Sequence, residues 1–239
     1  MTNDSPVALL HGAGFTIGDE IAAGLAAQNV RMVLFDEPER EAACQATAAR
    51  LGAAGAQVQA LPARTSNGDV VSEAVKVYGR LDYLFNTFIP GPETSAAAVF
   101  AYPQQLLERN FAAADVMAAG KAGGAIVNQW YLGALYEGSP LESAVLMSKG
   151  AITGVTREIC VKYGKAGVRT NAIQLGLVDL AETKGVITEK TLARKTPVGR
   201  WGSAAEVAKF MLFLALKNGY MSGQTICFDG GLTAGNTGT

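Results

Sequence analysis

Short apolar runs alternate along the chain with longer, alanine-rich stretches of helical periodicity. The apolar runs are Val7 to Leu10, Arg31 to Phe35, Val58 to Leu61, the segment closing at Asn86, Ala125 to Asn128 and Val168 to Gln174, with a last one inside Gly223 to Gly231. Their brevity and the Gly or polar residues that bound them predict strands. Between them the pattern predicts helices up to about Asn29, over Glu39–Leu51, Asp69–Tyr78, Pro103–Ala119 and Ser143–Tyr163, and over Ser203–Leu216. Strands separated by single helices imply an α/β fold, a Rossmann-like doubly wound parallel sheet of about seven strands with helices on both faces. Gly176 to Lys195 reads as irregular. No linker or repeat interrupts the pattern, so residues 1–239 are expected to form one domain.

Composition narrows the function classes. The chain carries 20 Lys and Arg against 21 Asp and Glu, a formal charge of −1, without a basic cluster. That balance argues against nucleic acid and anionic membranes as partners. No apolar run reaches membrane-spanning length and the N-terminal residues are polar, so a cytoplasmic protein is expected. Cys44, Cys160 and Cys227 stand singly and are expected to be reduced core thiols. One histidine and no paired cysteines leave no metal site to expect.

His11-Gly-Ala-Gly-Phe-Thr-Ile-Gly18 joins the first strand to the first helix. This is where a dinucleotide diphosphate would meet main-chain N–H groups, making Gly12, Gly14 and Gly18 candidate cofactor contacts. Thr16 is a candidate cap for the helix that follows, and His11 is expected to be a satisfied, half-buried side chain. Asp36 ends the second strand. Two readings of it stay open: an acceptor for ribose hydroxyls that selects NAD over NADP, or a solvated loop acid beside Glu37.

Five blocks then occur in order: Gly79-Arg-Leu-Asp-x-Leu-x-Asn86, Gly124-x-Ile-Val-Asn128, Arg169-Thr-Asn-Ala-Ile173 with Gly176, Pro197-x-Gly-Arg-x-Gly202 before Glu206, and Gly223-Gln-x-x-x-x-Asp-Gly-Gly231. On these blocks the chain resembles the short-chain dehydrogenase/reductase family over nearly its whole length. The resemblance implies NAD as the cofactor, if any binds, with Asn86 as a further cofactor residue. It places Asn110 and Lys149 in the slots of the family's catalytic Asn and Lys. The rest of the catalytic set is missing, because Val145 stands where the family has its Tyr, and Tyr131 and Leu132 stand where it has its Ser. Cofactor positions depart as well: Thr16 replaces the middle glycine, Thr87-Phe-Ile89 follows Asn86, Arg64 stands where an Asp meets the adenine, and Leu180 replaces a Thr.

A positioned acid–base group is worth roughly two to four orders of magnitude, so without one ordinary alcohol oxidation is not expected of this chain alone. Three readings follow. The first is the non-catalytic structural or regulatory subunit of a hetero-oligomeric NAD-dependent dehydrogenase, paired with an active paralogue through the 103–119 and 143–163 helices. The benzylsuccinyl-CoA pathway type, with a hydroxyacyl-CoA substrate, is one such case; homo-oligomerisation is the alternative assembly. The second is an enzyme with rebuilt chemistry, a lyase, isomerase or unusual oxidoreductase, with Tyr131 as acid backed by Lys149, or with Glu142. The third is a sensor of a nucleotide or metabolite. Trp130, Tyr131 and Tyr136 also fit simple packing.

Overall fold

Seven parallel strands form one sheet in the order β3-β2-β1-β4-β5-β6-β9 in the computed structural model, which describes residues 4–63, 69–91, 94–120, 122–133, 137–183 and 196–234. The strands are β1 (Val7–His11), β2 (Arg31–Phe35), β3 (Val58–Ala60), β4 (Tyr83–Asn86), β5 (Gly124–Tyr131), β6 (Val168–Leu175) and β9 (Thr225–Phe228). A separate two-stranded ribbon pairs β7 (Val178–Asp179) with β8 (Gly202–Ser203). The helices are α1 (Thr16–Ala27), α2 (Glu41–Ala53), α3 (Asp69–Tyr78), α4 (Ala96–Ala119), α5 (Glu142–Tyr163) and α6 (Ala204–Leu212). β1 and β2 are buried at every position, as unbroken apolar strands covered on both faces must be. α4 packs on α5, and α1 on α6.

Two boundaries differ from the sequence reading, and both shape the site. β5 does not stop at Asn128: Gln129, Trp130 and Tyr131 continue in register with Ile173, Gln174 and Leu175 of β6. Aromatic residues suit a pleated, packed surface, so the expected loop is strand. α4 begins at Ala96, capped by the Ser95 hydroxyl accepting from Ala98 N, and Pro103 lies inside the helix. A proline there removes the main-chain donor for the carbonyl of Val99. The Ser148 hydroxyl of α5 supplies it instead, at 3.0 Å.

Within the stretch read as irregular, residues 178–183 form β7 and a short 3-10 turn, Ala181–Thr183, while 184–195 lie outside the described residues. Cys44 is buried and Cys160 half-buried, but Cys227 is exposed. It sits on β9, the open edge of the sheet, so the expectation of three core thiols is corrected there. Among the described residues no helix is long and apolar enough to cross a membrane, and no group of His, Cys, Asp and Glu is placed to hold a metal ion.

Candidate functional site

The turn after β1 has the tight geometry its glycines allow. Gly12 takes φ +87° and donates to the Phe35 carbonyl at 2.9 Å. A Cβ on Gly12 would overlap Thr87, and one on Gly18 would overlap the Gly12 carbonyl. These two glycines therefore hold helix, turn and neighbouring strand together. Gly14 N donates to Asp36 Oδ2 at 2.6 Å, and Glu37 N donates to Asp36 Oδ1 at 2.9 Å. Asp36 is buried, so the picture of a solvated loop acid is corrected. Its carboxylate closes onto the glycine turn, and burial pushes its pKa up to about 6.

The start of α1 is already engaged. Thr16 N and Thr16 Oγ1 each donate to the carboxylate of Glu182, both at 2.9 Å. Thr16 is not a cap: Phe15 holds the N-cap position and makes no side-chain capping bond. Glu182 comes from the 3-10 turn after β7, and its side chain is 5% exposed. Arg40 lies 3.8 Å from the same carboxylate, with its guanidinium 4.5 Å from the centre of the Phe15 ring. A helix N-terminus favours an anion, and here the anion is the protein's own side chain.

At the other end, aromatic rings occupy the region between β4, α4 and β5. Phe88 stacks on Tyr102 with centroids 4.6 Å apart, and Tyr102 stacks on Trp130 at 5.3 Å. Phe15 meets Phe88 edge-on. Trp130 is fully buried, and its indole Nε1 donates to the main-chain oxygen of Val145 at 2.9 Å. Val145 is itself fully buried. Tyr131 is packed edge-on against Trp130 and buried.

Between these ends lies a buried polar cluster. Asn86 Nδ2 donates to Asn110 Oδ1 at 2.8 Å and to Asn128 Oδ1 at 2.9 Å. Asn110 Nδ2 donates to Asn128 Oδ1 at 3.2 Å, and Asn128 Nδ2 to Thr156 Oγ1 at 3.2 Å. Arg109 Nε donates to Asn86 Oδ1 at 3.0 Å. Asn86 and Asn110 thus face each other inside the protein. His11 is completely buried rather than half-buried, with Nε2 3.2 Å from Glu37 Oε1. Burial first, and the Arg109 charge second, bring its pKa down to about 4, so the ring is neutral near pH 7. The bond from His11 holds Glu37 below the usual carboxylate range.

Lys149 is half-buried, and its amine makes no hydrogen bond or ion pair among the described residues. Glu142 accepts from Gly138 N at 2.7 Å and so braces the loop before α5. Tyr136 and Arg64 lie outside the described residues. Two important residues escaped the sequence reading. Arg109 sits between buried Leu106 and Ala113 on α4, so helical periodicity alone marks it as a charge turned inward. Glu182 reaches Thr16 across 166 positions, and no local pattern signals that contact.

A cavity of about 550 Å³ remains beside this region, bounded by the turn after β2, the loop after β4, the start of α4 and Glu182. A dinucleotide does not fit the arrangement as it stands. The amide and hydroxyl at the α1 N-terminus are bonded to a carboxylate, and the turn after β4 carries Thr87 and Phe88 against Gly12 and the aromatic stack.

Comparison with known proteins agrees with this fold. A family model described as enoyl-(acyl carrier protein) reductase matches residues 12–233. The chain is similar to a short-chain reductase, NovJ, of Streptomyces niveus, at 28% identity over 94% of this chain and 93% of that protein. A tropinone reductase homolog of Arabidopsis thaliana is 38% identical over 36% of this chain and 35% of its own length. Among solved structures, an acetoin dehydrogenase of Salmonella typhimurium superposes with a TM-score of 0.81 at 20% identity, over 98% of this chain and 100% of that one. A short-chain dehydrogenase/reductase of Serratia marcescens gives 0.78 at 24% identity, over 95% and 98%.

Proposed function

The chain belongs to the short-chain dehydrogenase/reductase family, and from that premise we propose that it is a catalytically degenerate member acting as the non-catalytic subunit of a hetero-oligomeric NAD-dependent dehydrogenase. The observation that carries this reading is the Trp130–Val145 contact. Carbonyl–alcohol interconversion needs a proton donor within hydrogen-bond reach of the substrate oxygen. At this place the protein offers an isopropyl group and an indole whose one N–H is spent on the helix main chain.

Two further features support the reading. Asn110, which would connect Lys149 to solvent in an active member, is tied into the asparagine cluster instead. Large apolar side chains stand exposed on the long helices: Phe100 and Leu107 on α4, and Leu146, Met147 and Val161 on α5. Exposed apolar surface of that kind suits a partner chain. The active chain of the assembly would carry the intact Ser and Tyr.

The test is co-expression with intact paralogues from the same source, together with assay of the isolated chain with NAD and a panel of alcohols. Tight co-purification with an active paralogue and no turnover by the isolated chain are expected. Turnover by the pure chain at an ordinary rate would refute the reading. Rebuilt chemistry through Tyr131 has one observation in its favour, the uncommitted Lys149 amine. Turnover that Tyr131→Phe abolishes would establish that alternative.

A further inference from the structure

The cavity beside the α1 N-terminus keeps a size suited to a ligand after its fit to a dinucleotide is gone. Its volume of about 550 Å³ is within the range of small-molecule sites, roughly 300–1,000 Å³. Among the described residues the charged ones that line it are Glu37, Glu39, Glu182 and Arg40, three carboxylates facing one guanidinium. Asp36 lies just beneath, bonded to Gly14 and Glu37 main chain. Inside a partly enclosed cleft such a surplus attracts cations and repels a diphosphate.

Two details point to the ligand's chemistry. The protein's own cation already uses the site: the Arg40 guanidinium lies over the Phe15 ring at 4.5 Å and 3.8 Å from Glu182. A cation against an aromatic face with a carboxylate behind it is how ammonium groups are recognised. Glu37 has also kept an acceptor free. Its Oε1 takes His11, whereas Oε2 has no hydrogen-bond partner among the described residues. Phe15, Phe88 and Ile89 supply apolar wall for the remainder of such a molecule.

We propose that this cavity binds a small organic cation with an apolar body, and that Glu182, seated where a diphosphate would sit, sets this charge preference. The inference is independent of the partner chain proposed above.

The full-length protein is titrated by calorimetry and by thermal shift with benzyltrimethylammonium, benzoate, benzyl alcohol and NAD. Benzyltrimethylammonium is expected to bind and to raise the melting temperature, and the other three are not. Glu182→Gln keeps a side chain able to bond Thr16 while removing the charge. It is expected to weaken the cation roughly tenfold, the order expected for one charge a few ångströms away in a partly shielded site, while NAD stays excluded by the occupied Thr16 and by Thr87 and Phe88. Exposed Glu39→Gln, which leaves every contact of Thr16 in place, should weaken the cation as well.

Benzoate or NAD binding as well as the cation, no cation binding at millimolar concentration, or a cation affinity unchanged in both variants would overturn the proposal. None of these results bears on co-purification with an active paralogue. Conversely, alcohol turnover by the isolated chain would refute the subunit reading and leave cation preference to be judged on its own titrations.

Discussion

The indole Nε1 of Trp130 donates a 2.9 Å hydrogen bond to the main-chain oxygen of Val145. This bond joins the end of strand β5 to the first turn of helix α5, the two elements from which the family's Ser and Tyr project. A side chain that packs and bonds there leaves the site filled by the protein itself. The consequence is structural, because Trp130 and the start of α5 are held to each other within the core.

Trp130→Phe is expected to keep the stack with Tyr102 and lose the hydrogen bond, costing about 1 kcal/mol. Trp130→Ala removes the ring and leaves a cavity among Phe88, Tyr102 and Tyr131, costing about 3–5 kcal/mol. Urea denaturation followed by far-UV circular dichroism measures both.

Val145→Tyr does not restore a dehydrogenase. Val145 is fully buried, so a phenol there overpacks the core, at about 1–3 kcal/mol. The melting temperature should fall and NADH formation from alcohols should stay at background. Activity appearing in this single variant would show that the aromatic stack yields to a substrate.

Asn110→Ala removes an acceptor from Asn86 and a donor from Asn128 while both stay buried. Unsatisfied buried amides cost about 1–3 kcal/mol. Because the cluster acts as a unit, the Asn86→Ala, Asn110→Ala double variant should lose less than the sum of the singles. A double-mutant cycle in urea provides the comparison, and strict additivity would dissolve the cluster as a unit.

Two buried groups give opposed pH dependences. Asp36, raised from 3.8 to about 6 by burial, keeps its proton in the fold where the unfolded chain has released it, so its contribution to stability falls as pH rises through that interval. His11, lowered from 6.5 to about 4, stays neutral in the fold where the unfolded chain is protonated, so its contribution rises with pH there. In the wild type the two slopes offset each other between about pH 4 and 6. Asp36→Asn should steepen the rise of stability with pH in that window, and His11→Gln should turn it toward a fall. Urea midpoints across the window read both, and curves parallel to wild type would contradict the assignment.

Much of this molecule was written in local pattern. Asp69–Tyr78 forms the helix its periodicity predicts, and the apolar runs at Val7 and Arg31 become central strands, because burial on both faces of a parallel sheet demands such runs. That position 145 carries a side chain with no proton to give is likewise visible in the sequence, since Val has neither donor nor acceptor. The strand through Gln129, Trp130 and Tyr131 was legible only in part, as its end depends on whether β6 continues beside it. Tertiary structure alone decided that Glu182 meets Thr16, that Ser148 answers the carbonyl freed by Pro103, and that Trp130 bonds to Val145. Each of these joins separate elements through one or two hydrogen bonds, and a hydrogen bond constrains position in space without leaving any periodicity in the sequence.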